Sequence, residues 1–180
     1  MDLFTDSTYF IGELLIANVE KPAMQQLLGI VIGAREPEYL KKVMGYECYK
    51  AFEEGLSENE PEQRWLDVKE GTEYRDCSNR LKNWQGFVND EKVSPIANYV
   101  YFWHQRNQIT FSTSTGEKTT KGENSDNASS IAKLYRAWNT CSDLTYTLHA
   151  LLQSKKEDGT AVYPEFDILD AERIDKTNWL

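Results

Sequence analysis

The stretch SPIANYVYFWHQRNQITFSTSTGEKTTKGENSDNASSIAKLYRAWNTCSDLTYTLHALLQ, Ser94–Gln153, decides the fold. It opens on a helix start signal, a serine suited to an N-cap followed by proline at the first helical position. The residues after Pro95 are apolar on nearly every side, at Ile96, Tyr99, Val100, Tyr101, Phe102 and Trp103. A helix of that kind must be covered all round, so it belongs at the centre of a bundle or against another subunit. At the other end, no Pro or Gly interrupts the chain from Ser125 to Gln153. There Ile131, Leu134, Trp138, Cys141, Thr145, Leu148 and Leu152 recur at alternating three- and four-residue steps, a sustained helical seam. At 1.5 Å rise per residue this helix is roughly 40 Å long. An ordinary bundle helix packed on its own domain is the preferred reading over a coiled-coil dimer.

Between the two helices lies Gln108–Asp126, rich in Ser and Thr and almost devoid of apolar side chains. Ile109, Phe111, Thr113 and Thr115 alternate with Thr110, Ser112 and Ser114, as in a strand. Gly116–Glu117 has the Gly-X form of a two-residue hairpin turn, and Lys118–Thr120 returns as the second strand. An isolated two-stranded hairpin is marginal in water. Two readings stand: a hairpin ordered by a partner or by copies of itself, or a polar loop. Either projects from the bundle over residues 108–124.

Outward to the N-terminus, Tyr9–Ala17 reads as an extended arm or strand. Pro22 suits the first turn of a helix whose apolar stripe is Met24, Leu27, Leu28, Val31 and Ile32. Pro37 reads as the opening of a further helix, with Glu36 and Glu38 favourable near its positive end and Leu40, Val43 and Met44 as its stripe. Gly45 then makes a left-handed cap and a corner into a short helix, Tyr46–Gly55. Residues 57–93 are polar and punctuated, and predict a loop, a turn and one short helix near Asn79–Phe87. The fold class is therefore mainly α: a small helical bundle over residues 1–156, a polar hairpin or loop between its last two long helices, and an extended C-terminal arm.

The arm, residues 157–180, carries seven acids against Arg173 and Lys176, a net −5 out of a formal −9 for the whole chain. It lacks the periodicity for a core of its own. Tyr163, Phe166, Ile168, Leu169 and Trp179 nevertheless make it too apolar to remain in solvent. They predict docking on this domain or on a neighbouring copy, and the neighbouring chain is the expectation adopted for the arm.

Composition narrows the function. With 40% hydrophobic and 12% aromatic residues the chain can bury a core. Its acidic balance disfavours tight nucleic-acid binding but suits a wall past which DNA slides. Cys48, Cys77 and Cys141 lie far apart and give neither a disulfide framework nor a zinc spacing. The start MDLFTDSTYF lacks a basic leader, and the longest apolar run falls well short of a membrane span. These features predict a soluble protein made in a reducing cytoplasm.

Catalysis has few candidates. His104 beside Trp103 reads as a packing residue. His149 lies about 12 Å along the helix from Cys141, too far for a thiolate–imidazole pair. A Cys48–His104 pair is a weak alternative. Glu53–Glu54 and Glu58–Glu60 read as solvated charge runs. Glu123, Asn124 and Asp126 have no diagnostic calcium spacing. No metal, cofactor or catalytic residue is expected.

The segments EPEYLKKVMGYECYKAF (Glu36–Phe52), NYVYFWHQRNQITFSTSTGEKTTKGENSD (Asn98–Asp126) and KLYRAWN (Lys133–Asn139) together resemble head–tail connector proteins of tailed bacteriophages and prophages, also called adaptor or head-completion proteins. In such proteins an E-P-x-[FY]-L-x-x-[LVM]-[LM]-G-Y-E-x-Y-K segment makes helix, glycine corner and helix, and two longer helices flank a Thr/Ser-rich loop or hairpin. The resemblance covers roughly residues 9–154; residues 57–93 and the arm have no counterpart in it. It implies a non-enzymatic virion protein of the neck, made in the host cytoplasm and assembled as a twelve-fold ring of copies of itself. One face of the ring would meet the portal protein, the other the tail or a second neck protein, with double-stranded DNA passing through without tight binding. In that setting Thr110, Ser112, Thr113, Ser114, Thr115, Gly116, Lys118 and Thr120 form the hairpin contact, and Tyr163, Phe166, Ile168, Leu169 and Trp179 the arm contact. The alternative from the residues alone is a cytoplasmic helical enzyme or a regulatory partner-binding protein.

Overall fold

A computed structural model describes residues 3–76, 78–113, 116–119 and 127–176, with side chains left aside at 109–113, 116–119 and 127–130. Two single-turn 3-10 helices, Ser7–Tyr9 and Gly12–Leu14, come first. Five α-helices and two hairpins follow: α1 (Pro22–Met44), α2 (Tyr46–Leu56), α3 (Gln63–Glu70), β1 (Thr72–Arg75), β2 (Leu81–Trp84), α4 (Pro95–Ile109), β3 (Thr110–Thr113), β4 (Gly116–Thr119) and α5 (Asn127–Leu152). The chain is mainly helical.

The centre is α4, held between α1 and α5 and touched by the second 3-10 turn. Ile96, Ala97, Tyr99, Val100 and Tyr101 are all buried. The surplus of apolar surface on this helix is therefore met within the chain. Ser94 does not cap it as the sequence suggests, because its hydroxyl has no partner among the described residues. The Asn98 backbone and side-chain amides donate instead to the Ser94 carbonyl, at 3.2 and 2.9 Å. On α5 the seam residues Leu134, Cys141, Thr145, Leu148 and Leu152 are buried in this same core, so it is a bundle helix.

Helix α1 departs from expectation. It runs through Pro37 without ending. The ring costs the helix one hydrogen bond, the one to the Gly33 carbonyl four residues back. Gly33 is exposed, so water can serve that carbonyl. Glu36 is consequently not at a helix start but buried in mid-helix. Its carboxylate accepts from the Phe4 amide at 2.7 Å, the Thr5 amide at 3.1 Å and the Thr5 hydroxyl at 2.8 Å. Burial raises its pKa, opposed by these three donors. It pins the N-terminal segment, which forms 3-10 turns rather than a strand: the Asp6 carboxylate accepts from the Thr8 amide at 2.8 Å and caps the first of them. The corner after α1 falls at Gly45, at φ +73 and ψ 162, a conformation closed to residues with a side chain.

Residues 57–93 are more ordered than the sequence suggests. Glu62–Glu70 forms α3 and its cap, and the region predicted helical near Asn79–Phe87 holds strand β2. Strands β1 and β2 pair antiparallel, with Thr72 opposite Trp84 and Arg75 opposite Leu81. The isolated apolar residues of this region are anchors. The Trp84 indole donates to the Val68 carbonyl at 2.8 Å. Gly71 and Gly86, at φ +100 and +82, let two backbone segments pass so closely that a Cβ at Gly86 would lie 2.5 Å from the Glu70 carbonyl carbon. An aromatic row, Phe4, Phe87, Phe52, Trp65 and Tyr163, joins neighbouring rings at 5.6–6.1 Å. It ties together the N-terminal segment, α2, α3 and the arm.

Candidate functional site

Strands β3 and β4 pair antiparallel, with Thr110 opposite Thr119, Phe111 opposite Lys118, Ser112 opposite Glu117 and Thr113 opposite Gly116. Helix α4 passes into β3 with no intervening residue. The described residues of the projection between α4 and α5 thus form a hairpin, joined directly to α4. The register differs from the sequence reading: Gly116 and Glu117 lie in the second strand, and Gly116 pairs with Thr113 instead of opening the turn. Ser114, Thr115 and Thr120 lie outside the described residues.

The arm begins as α5 ends. Lys155 bridges Ala161, and Gly159 at φ +84 turns the chain back. From there the arm lies along its own bundle. Tyr163 is buried against Trp65 at 5.7 Å between ring centroids, and its hydroxyl donates to the Arg64 carbonyl at 3.0 Å. The Arg64 guanidinium sits 4.3 Å from the Trp65 ring and holds Glu165 through two bonds, 2.8 and 3.0 Å. Phe166 packs on His149 at 5.6 Å. Further along, the Glu172 amide donates to the Lys42 carbonyl at 2.7 Å, and Asp170 passes over the corner at Gly45. The Trp138 indole donates to the Asp175 carbonyl at 2.9 Å, and the Ser142 hydroxyl to that of Ile174. The expectation that the arm crosses to a neighbouring chain therefore needs correcting for Tyr163 and Phe166, whose partners are Trp65, Arg64 and His149 of the same chain. Leu169 is the exception, 91% exposed. Ile168 lines a cleft, and Trp179 lies outside the described residues.

That cleft, about 590 Å³, opens between the β1–β2 hairpin, α5 and the arm. Arg80, Lys82, Arg173, Tyr146 and Gln153 stand on its walls. Asp76 is committed locally, accepting from the Ser78 and Arg80 amides and from the Arg80 guanidinium at 2.9 Å each.

The weighed catalytic candidates are placed as follows. Burial pushes the Cys48 and Cys141 thiols up to about 12, so neither is a thiolate near neutral pH. Burial lowers the pKa of His104. The His149 ring donates from Nε2 to the Val43 carbonyl at 2.7 Å, and burial lowers its pKa too. Glu54 pairs with Lys50 at 3.7 Å on the surface. Cys77, Glu123, Asn124 and Asp126 lie outside the described residues. Among the described residues no cluster of His, Cys, Asp or Glu is arranged to hold a metal ion, and no helix is long and apolar enough to cross a membrane.

No family profile, curated protein or solved structure matches the chain.

Sequence reasoning missed two features. One is the Arg64–Trp65–Tyr163 clamp, whose only sequence signal is an Arg-Trp pair in a polar stretch. The other is the exposure of Leu27, assigned to the buried stripe of α1. Leu28 and Ile32 are buried, whereas Leu27 is 40% and Ile30 67% exposed.

Proposed function

We propose that this chain is a structural adaptor of a phage neck, a ring component between portal and tail with DNA passing through its centre. The observation that carries the reading is the β3–β4 hairpin continuing directly from α4. A core helix runs directly into a strand pair whose outer edges have no strand partner among the described residues. Such edges are templates for pairing with another chain. The helix–Gly45–helix corner adds support, since it agrees with the connector-like segment Glu36–Phe52. Tyr163 and Phe166 of the arm add none, because they find partners within the chain. The portal, the tail or second neck protein, and further copies of this chain are the partners the reading requires.

The test is deletion of Ser112–Thr120. The bundle should stay folded, because the core contacts of α4 and α5 lie below the hairpin, while tail attachment should stop. Tailed, infectious particles from the deletion would refute the assignment.

A second reading, a partner- or ligand-binding protein, is favoured by the polar cleft beside the arm. It predicts that Lys82→Ala and Arg173→Ala abolish a binding activity while virion assembly proceeds normally.

A further inference from the structure

Charge is missing where solvent exposure would call for it. Pro22–Ala34, the first half of α1, has no charged side chain, in a protein of which 27% is charged and whose net charge is −9. A solvated helix face is ordinarily polar and charged. This one exposes Gln26, Leu27, Gly29, Ile30, Gly33 and Ala34. Steps of three and four residues place them in one continuous strip centred on Ile30.

Gly29 has no packing reason to be there, and Gly33 has one only through its carbonyl, which Pro37 leaves without a helical donor. A Cβ on Gly29 or on Gly33 would meet nothing within 4 Å. Glycine in a helix interior is less stable than alanine, so each costs stability and its lack of a Cβ relieves no side-chain clash among the described residues. Their effect is to lower the helix surface on either side of Ile30, which lets another backbone come close.

We infer that two copies of this chain associate through α1, with Ile30 of each helix seated over Gly29 and Gly33 of the other. Charge selects the occupant. A basic partner would find its complement on the acidic surface elsewhere, not here. A second copy carries the same −9 and is repelled wherever that charge is displayed, so a charge-free strip is where it can approach. The strip also suits a twofold, in which one patch must complement itself: a central knob flanked by hollows does so. One helix face buries less than the roughly 1,200–2,000 Å² of stable interfaces, so the pair is weak and reversible. Such a pair closes on itself and cannot extend head to tail. It is a state of the free chain and stands independently of the neck proposal.

The experiment is sedimentation equilibrium of the purified full chain from low micromolar to sub-millimolar concentration. A monomer–dimer equilibrium is expected. Ile30→Glu places two acids near the twofold axis and should weaken association by about tenfold or more while leaving the circular dichroism spectrum unchanged. The double variant Gly29→Ala/Gly33→Ala supplies an independent arm. It should raise the thermal midpoint of the monomer, since both positions are open, and at the same time weaken the dimer. A wild type that stays monomeric throughout, or a dimer that Ile30→Glu leaves intact, would overturn the inference.

Discussion

Replacing Tyr163 tests whether the arm belongs to its own bundle. The ring is 2% exposed and lies against Trp65, itself 1% exposed. Truncating a buried aromatic side chain to alanine costs about 3–5 kcal/mol where the surroundings cannot collapse. The hydroxyl bond to the Arg64 carbonyl adds about 1 kcal/mol. A limit then applies. The arm is peripheral, so it can detach from the mutant bundle, and the loss cannot exceed the free energy of docking it. What remains after detachment is an uncovered Trp65 and an Arg64 that has lost Glu165. The Arg64–Glu165 pair is part-exposed, with side chains 20% and 29% accessible, and contributes about 1 kcal/mol or less.

Together these place Tyr163→Ala near a loss of 3 kcal/mol and Tyr163→Phe near 1 kcal/mol. With a urea slope of about 2 kcal/mol/M, Tyr163→Ala moves the midpoint down by roughly 1.5 M. Tryptophan fluorescence reads the transition, and emission of the folded alanine variant should shift to the red as Trp65 meets water. Both effects should be independent of protein concentration. An alanine variant with the wild-type midpoint in dilute solution would show that the arm is not docked in cis. A loss that appears only at high concentration would place Tyr163 on a neighbouring copy, and either result would refute the reasoning.

Two further outcomes follow from buried positions. Gly55→Ala should destabilise by about 1–2 kcal/mol despite the better helix propensity of alanine. The added Cβ would meet Trp65 Cδ1, and Trp65 is held by Phe52 and Tyr163 at 5.7 Å each and cannot swing aside; a wild-type melting temperature would contradict this packing. For Glu36→Gln the measured quantity is the stability difference from wild type as pH changes. Burial raises the Glu36 pKa above 4.5, so the folded state holds its proton more tightly and wild-type stability falls as pH rises through that raised value. The difference should therefore move against the wild type as pH rises above the ordinary carboxylate range, and movement the other way would mean that the Phe4 and Thr5 donors outweigh burial.

The legible parts of the fold were those whose pattern is long or whose geometry admits one residue type. The seam of α5 repeats over several turns, and Gly45 stands where only glycine fits. Alternation in Thr110–Thr113 made the hairpin readable, but its register was not. Gly116 satisfies a turn and a strand equally well, and pairing opposite Thr113 is set by the strand leaving α4. Pro37 misled because proline usually opens a helix, and only the exposure of Gly33 makes it tolerable within one. Helix α3 and strands β1 and β2 are too short for any period to emerge. They are fixed by single anchors: Trp65 against the Tyr163 ring, Tyr74 through its hydroxyl donating to the Thr147 carbonyl, and Trp84 through its indole bond to Val68. Leu27 and Leu28 show the limit of stripe reading: adjacent leucines point apart, and the sequence does not say which one the core takes.

The same contrast bears on function. The sequence suggested that apolar surplus in α4 and in the arm demanded other chains, and the fold absorbs most of that surplus: α1 and α5 cover α4, and Trp65, Arg64 and His149 receive the arm. Among the described residues, and apart from singly exposed side chains such as Tyr146 and Leu169, two surfaces remain. One is backbone, along the edges of β3 and β4 at the end of α4. The other is the charge-free strip of α1 around Ile30. Backbone edges favour pairing in one direction and a fixed register, as a permanent junction needs. A small apolar strip without polar partners favours weak, reversible contact. The two proposals therefore assign these surfaces to different stages: loose pairing of free chains through α1, and lasting attachment through the hairpin. Losing Ile30 should leave attachment intact, and losing the hairpin should leave the pair intact.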